Sequence, residues 1–304
     1  MSEEWRGPTF YFARSYIDLQ KMRIGCELRI RKIIEHYTKI PKGAKFKTVA
    51  SLIDEIKDDE AKDIALQLLS HRDVLKKEED SMLDRASKIF KDTMLWNWVE
   101  RVKGLSKMAA LMFLGYINPF IASNPAKVWK YWGLAPGEKI KSGEKSGYNP
   151  LLKGRGWLIA GNVIRAGDEY YVPLYRAKKE YFLNNERRVK DELGRIILFP
   201  PFMEIIKDPK LCPRYVECEQ KRVGKARRLG ESVKKPACKA HVDSMAKIWL
   251  AKIILSHAWE LIRREEGLKV GTHYPYIPPK PADPEECKRI LDDIIPKILK
   301  GERL

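Results

Sequence analysis

Three cysteines and one histidine in this chain stand at a spacing that suits a metal ion. Cys212, Cys218, Cys238 and His241 read C-x5-C-x19-C-x2-H. Two close pairs separated by a basic loop suit tetrahedral zinc, which takes thiolate sulfur and imidazole nitrogen. Four protein ligands close the coordination sphere, so the expected ion is structural and pins the segment between the pairs. The first pair is wider than the usual gap, and the competing reading is ordinary thiols beside an unrelated histidine. Cys26 and Cys287 find no partner in the pattern, and His36, His71, His257 and His273 read as isolated, structural side chains. The cysteine count is five, an odd number that also fits a metal better than a disulfide framework.

The second chemistry on offer is phosphate binding. Val102-Lys103-Gly104-Leu105-Ser106 lies between two apolar helical patterns. In a helix-hairpin-helix turn, glycine lets the backbone turn sharply, and amides at the start of the second helix face a phosphate. Such contacts are independent of base sequence, and Lys103 and Lys107 would reinforce them. Ser106 stands where a second glycine is usual and is placed to cap the following helix. A plain αα-corner is the alternative. Further on, GEKIKSGEKSGYNPLLKGRG (137–156) carries Lys139, Lys141, Lys145, Lys153 and Arg155 among five glycines, with Ser142 and Ser146 between them. A stretch of that composition packs no core, so it is expected to face a ligand.

Composition agrees with an anionic partner. The chain has 304 residues, 59 Lys and Arg against 41 Asp and Glu, and a formal charge of +18. A surplus of that size favours nucleic acid or an anionic membrane. No apolar run has the roughly 18–20 residues that cross a bilayer, and the first residues do not resemble a signal peptide. A cytoplasmic, nucleic-acid-associated protein is therefore expected, with DNA as the first choice of partner, RNA as an alternative, no membrane, and a homo-oligomer left open. Charged residues make up 33% of the chain, a balance common in thermophile proteins.

Helices must position these residues. Apolar residues recur at helical spacing over 17–37, interleaved with Lys21, Arg23, Arg29, Arg31 and Lys32. That basic face reads equally as solvated or as phosphate-tracking. Residues 49–71 and 74–101 read as two amphipathic helices, with Thr48 or Ser51 capping the first. Their acidic residues, Asp54, Asp58, Asp59, Glu79, Asp80 and Asp84, fall mostly on the solvent side. Residues 107–117 are apolar nearly all round and read as core. Trp129, Tyr131 and Trp132 lie on a short helix closed by Gly133 and read as core aromatics in preference to base-stacking platforms. A helix from Trp157 is expected to be interrupted near Gly167 and Pro173. Residues 186–236 look like a basic insertion with one short strand over 194–199. A periodic helix from Cys238 stops at Gly267, and a Pro-rich arm leads to a final amphipathic helix that docks on the core or on a second subunit.

Three of these stretches, in this order, resemble a known family. VKGLSKMAALMFLGYI, WKYWGLAPGEKIKSGEKSG and LLKGRGWLIAGNVIRAG look like the C-terminal domain of DEDD-type insertion-sequence transposases and the related Piv-type DNA invertases. The segment from Cys238 to Gly267 is similar to the closing part of that domain. The resemblance covers roughly 90–182 and 237–276. It implies DNA binding and recombination within a mobile element, and it places the family's proposed nucleophilic serine at Ser142, with Ser146 beside it. A serine attacking a phosphodiester conserves bond energy in a covalent intermediate, and the lysines and Arg155 would neutralise the phosphate. The family's RuvC-like N-terminal domain, with its acidic tetrad, has no counterpart in 1–90, and no Asn or Asp follows Lys153-Gly154-Arg155-Gly156.

The expected fold is mainly α, a helical bundle with a helix-hairpin-helix core and a small zinc-stapled insertion. The expected regions are 1–90, an N-terminal helical part; 91–185, the transposase-like core; 186–236, the insertion; and 237–304, the closing helix and C-terminal arm. The expected function is DNA binding through phosphate contacts, with a serine recombinase using Ser142 and an RNA-binding or nucleoprotein-assembly role as alternatives.

Overall fold

The structure is a computed structural model, and it describes residues 8–41, 43–135, 147–190, 195–230, 232, 238–271 and 277–302. It is mainly α, as the periodicity requires. Among the described residues are twelve α-helices and one two-stranded antiparallel sheet. The chain falls into two compact units. One takes residues 1–99 and 106–121, and the other takes 100–105 and 122–304.

In the first unit, α1 (Pro8–Tyr37) begins earlier than the periodicity predicts. The aromatic stretch joins it, and a proline at the first helical position loses nothing because its missing amide has no intrahelical partner there. The helix α2 (Phe46–Ala50) and a 3-10 turn (Ile53–Glu55) follow. Next is α3 (Asp59–Phe90), one continuous helix where two were expected. Neither Thr48 nor Ser51 caps it. Ser51 Oγ donates to the Thr48 carbonyl at 2.9 Å instead. Asp58 is the cap, accepting the Ala61 amide at 2.8 Å, and no Gly or Pro interrupts 59–90.

The second helix of the hairpin, α5 (Lys107–Tyr116), follows α4 (Met94–Arg101) and the turn. Residues Ala109 to Phe113 of α5 are all buried, as a helix apolar on every side must be. α1 packs on both α3 and α5. Gly115 permits the closest approach, because a Cβ there would lie 2.4 Å from Ala13 Cβ. A smaller core of Ile30, Ile34, Val49, Ile53, Ile56 and Ala65 ties α2 to α1 and α3.

The second unit is built on α11 (Cys238–Glu265). Around it stand α6 (Pro125–Tyr131), α7 (Pro150–Ala166), α8 (Tyr171–Asn184) and α9 (Phe202–Lys207). The final helix, α12 (Pro284–Lys300), docks on α8, one of the two placements expected for it. Asn124, Asn149 and Asp283 cap α6, α7 and α12 with their side chains. Gly167, at φ 71°, ends α7 where an interruption was expected. Pro173 lies in the first turn of α8 and interrupts nothing.

Between α8 and α11 the chain forms β1 (Arg187–Lys190) paired antiparallel with β2 (Ile196–Phe199), in the register Arg187 opposite Phe199. The sequence pointed to the second strand only. After α9, a 3-10 turn (Pro209–Leu211) leads to α10 (Tyr215–Leu229). Phe199, Phe202, Ile205 and Val242 make a small core under this segment.

Candidate nucleic-acid interface and thiol cluster

The unit division runs through the hairpin, so its two halves belong to different units. In the second unit, Gly104 takes φ 90°, a conformation that side-chain-bearing residues rarely adopt. A Cβ there would sit 2.5 Å from the Asn162 carbonyl oxygen on α7. Lys103 donates its amide to Asp168 Oδ2 at 2.9 Å, and its ammonium pairs with Glu169 at 3.0 Å. The Leu105 amide is donated to the Val102 carbonyl at 3.1 Å and closes the turn. In the first unit, Ser106 stands at the cap position of α5, but its side chain makes no capping bond. Its carbonyl accepts the first intrahelical bond, from Ala110 at 3.1 Å. Lys107 pairs with Asp84 across exposed surface at 3.2 Å. Exposed pairs of this kind are worth about 0–1 kcal/mol, so either lysine can exchange its carboxylate for a phosphate at little cost.

Ser142, Ser146, Lys139, Lys141 and Lys145 lie outside the described residues. The two stems of their segment are described. Leu134 and Ala135 donate their amides to the Trp129 carbonyl at 2.8 and 3.2 Å, and Asn149 donates to that of Tyr131 at 3.0 Å. Gly133 and Tyr148 face each other, with the ring where a Cβ would stand. Lys153, early in α7, lies 4.9 Å from the Tyr148 ring centre, and Arg155 follows it, half-buried.

Two lysines outside the sequence-predicted sites, Lys178 and Lys252, lie half-buried against aromatic rings. Lys178 on α8 stacks on Tyr181 at 4.1 Å and lies within reach of Phe182 and Trp249. Lys252 on α11 lies 5.6 Å from the ring of Trp129, whose indole N–H donates to the Lys252 carbonyl at 3.0 Å. Burial alone pushes both ammonium groups below the usual lysine value, and no carboxylate among the described residues offsets it. Lys247 differs. It lies over Trp157 at 5.0 Å and bonds Asp243 at 2.8 Å. Burial would raise the Asp243 carboxyl, but hydrogen bonds from Lys247, Tyr175 and Lys179 outweigh it and hold that carboxyl far below its usual range.

The aromatics divide accordingly. Trp132 is core, as expected, while Trp129 is half-buried and Tyr131 is 44% exposed. The signal available in the sequence was Lys247, Trp249 and Lys252 together on a helix otherwise rich in apolar residues.

The basic face of α1 is largely committed to pairing within its own unit. Arg23 bonds Glu79 and Glu27, each at 2.7 Å, and Arg31 donates to the Ala44 carbonyl at 2.8 Å. Glu79, grouped with solvent-side acids in the sequence, is only 2% exposed because Arg23 draws it inward. His257 is structural, as read. It accepts from Tyr171 O–H on Nδ1 at 2.6 Å and contacts the Ile277 carbonyl through Nε2 at 2.7 Å, a pairing that needs the proton on Nε2.

The four metal-spacing residues converge on one end of the second unit. Cys212 follows the 3-10 turn, and Cys218 is on α10, where its amide bonds the Arg214 carbonyl at 3.0 Å. Cys238 opens α11, and His241 is one turn further along. Cys212 and Cys238 pack against the same small core, and the His241 ring meets Phe202 edge-on at 5.6 Å. Burial pushes the Cys238 thiol up, and Cys212 and Cys218 push it the same way. Burial, then Arg187 and Arg214, lower the His241 imidazole. No three His, Cys, Asp or Glu side chains among the described residues stand in ligating geometry as placed.

No family model, curated protein or solved structure matches the chain. No helix among the described residues is long and apolar enough to cross a membrane.

Proposed function

We propose that this protein binds DNA, double-stranded or branched, by gripping its phosphates, and that Lys178 and Lys252 belong to the grip. The observation that carries the reading is the setting of these two side chains. Each is an ammonium group partly withdrawn from water, stacked on an aromatic ring, with no carboxylate among the described residues to neutralise it. Withdrawing a cation from water is costly, and a cation–π contact returns only about 0.5–2 kcal/mol. A ring accepts charge on one side of the ammonium and leaves its remaining N–H donors for an anion. A polyphosphate backbone supplies such anions in number, and the +18 charge of the chain favours it over a single small ligand.

The hairpin lysines and the stems of the serine-containing segment add support. Lys103 and Lys107 are held by exchangeable surface pairs, and Lys153 lies on the helix that follows one stem. The resemblance to transposase and invertase C-terminal domains points to the same partner.

The test is a fluorescence-anisotropy titration with linear duplex, a branched junction and a duplex RNA of equal length. Lys178→Gln combined with Lys252→Gln is expected to weaken DNA binding about tenfold or more while the far-ultraviolet circular dichroism is unchanged. Unchanged DNA affinity in that variant contradicts the assignment of the grip. Tighter binding of the RNA replaces DNA with RNA as the partner. A protein–DNA adduct surviving denaturation, and lost in Ser142→Ala, makes the protein a recombinase as well as a binder.

A further inference from the structure

We propose that Cys212, Cys218, Cys238 and His241 bind one zinc ion that fastens α10 to the start of α11. The inference does not depend on the nucleic-acid reading.

The fold brings the two pairs together from opposite ends of a basic segment. Cys212 and Cys218 flank the entry to α10, while Cys238 and His241, three residues apart on α11, share one face of that helix. Phe199, Phe202, Ile205 and Val242 form the floor, touched by Cys212 and Cys238 and met by the His241 ring through Phe202. This core is small and takes no side chain from α10, which among the helices and turns packs chiefly on the 3-10 turn before it. A helix with so few packing partners gains most from a cross-link.

Buried nitrogens of two half-buried arginines supply the second observation. Arg187 Nε, and Nε and Nη1 of Arg222, are buried with no hydrogen-bond acceptor among the described residues. Arg187 is held by its stacking on Phe202, 4.4 Å from the ring centre. A thiol is a weak acceptor, whereas a zinc-bound sulfur is an anion. Three thiolates and an imidazole around Zn2+ leave one net negative charge, which half-buried guanidinium groups neutralise as outer-shell donors.

The donor set also selects the metal. Sulfur and nitrogen suit zinc, and a hard cation such as Mg2+ or Ca2+ finds no carboxylate among the four. Binding turns these side chains inward about helix ends already in place and releases three thiol protons to solvent. No electrons are exchanged.

The experiment is metal analysis of the full chain purified without chelator, followed by replacement of its metal with Co2+. About one zinc per chain is expected, and the cobalt form is expected to show the sulfur-to-metal charge-transfer and visible bands of a tetrahedral, thiolate-rich site. Cys212→Ser and Cys238→Ser are each expected to remove most of the bound metal, while Cys26→Ser and Cys287→Ser keep it. A folded wild-type chain that holds no zinc and gives no cobalt bands overturns the proposal, whatever the variants do. So does a Cys212–Cys218 disulfide found by mass spectrometry in the purified chain, or metal loss in the Cys26 and Cys287 controls equal to that in the site variants.

Discussion

Asp168 is fully buried, and its contacts with Lys103 and Lys280 hold distant parts of the second unit together. Its carboxylate accepts the amides of Lys103, Tyr170 and Tyr171, and Lys280 from the Pro-rich arm reaches it at 2.9 Å. The Lys280 ammonium also bonds Glu169 at 2.6 Å and the Arg101 carbonyl at 3.1 Å. Removing one partner of a buried ion pair costs more than the pair contributes, because the other charge is left uncompensated. Lys280→Met is therefore expected to lower unfolding stability by about 3–5 kcal/mol in a urea titration, with partial recovery in the Lys280→Met, Asp168→Asn double variant. Glu169 adds a pH dependence. The hydrogen bond from Lys280, with help from Lys103 and against burial, holds its carboxyl down at about 2 from an ordinary 4.5. A depressed carboxyl contributes stability above its unfolded value and loses it as pH falls toward the folded one. The urea midpoint should decline between pH 4.5 and about 2, and Glu169→Gln should flatten that part of the profile. Glu169 is half-exposed, so solvent screening keeps the effect modest.

At the scale of elements, the hairpin turn depends on Gly104. Its positive φ, together with the Asn162 carbonyl where a Cβ would stand, leaves no room for a side chain. Gly104→Ala is expected to cost about 2 kcal/mol or more in thermal or urea unfolding; a change under about 0.5 kcal/mol, the range of ordinary surface substitutions, would contradict this placement. That glycine was legible in the sequence because a turn between two apolar helices has few other solutions. α11 and α12 were legible from their periodicity and α5 from its nearly all-apolar run, each closed by a Gly or Pro just beyond its end. The boundaries of α3 were not, because an Asp cap at 58 competes with Ser and Thr a few residues earlier, and only packing on α1 decides between them. The strand β1 escaped notice because Arg187-Arg188-Val189-Lys190 has little apolar alternation, and its pairing with β2 supplies what its own residues lack. Of the candidate sites, the cysteine spacing and the hairpin were visible as local patterns. Lys178 and Lys252 were signalled only faintly, by Lys247, Trp249 and Lys252 on one apolar helix, because what distinguishes them is the ring beneath each and the lack of a carboxylate among the described residues, and both depend on tertiary contacts.

For the whole molecule, the excess of 59 basic over 41 acidic side chains remains the broadest constraint. Internal pairing uses part of it, as at Arg23 with Glu79 and at Lys179 and Lys247 with Asp243. Lys178 and Lys252 meet no carboxylate among the described residues, and Lys103 and Lys107 meet only exposed ones. Such a surface binds by releasing the counterions of the nucleic acid, so affinity must fall steeply and linearly with salt on logarithmic axes. Each phosphate contact adds about 0.9 to that slope on duplex DNA. The most direct measurement is the duplex dissociation constant of the wild-type chain across a range of potassium chloride, repeated with Lys178→Gln, Lys252→Gln. A wild-type slope of about 4 or more, reduced by about 2 in the variant, is the expected result. A flat salt dependence, or no measurable DNA binding at low salt, contradicts the account.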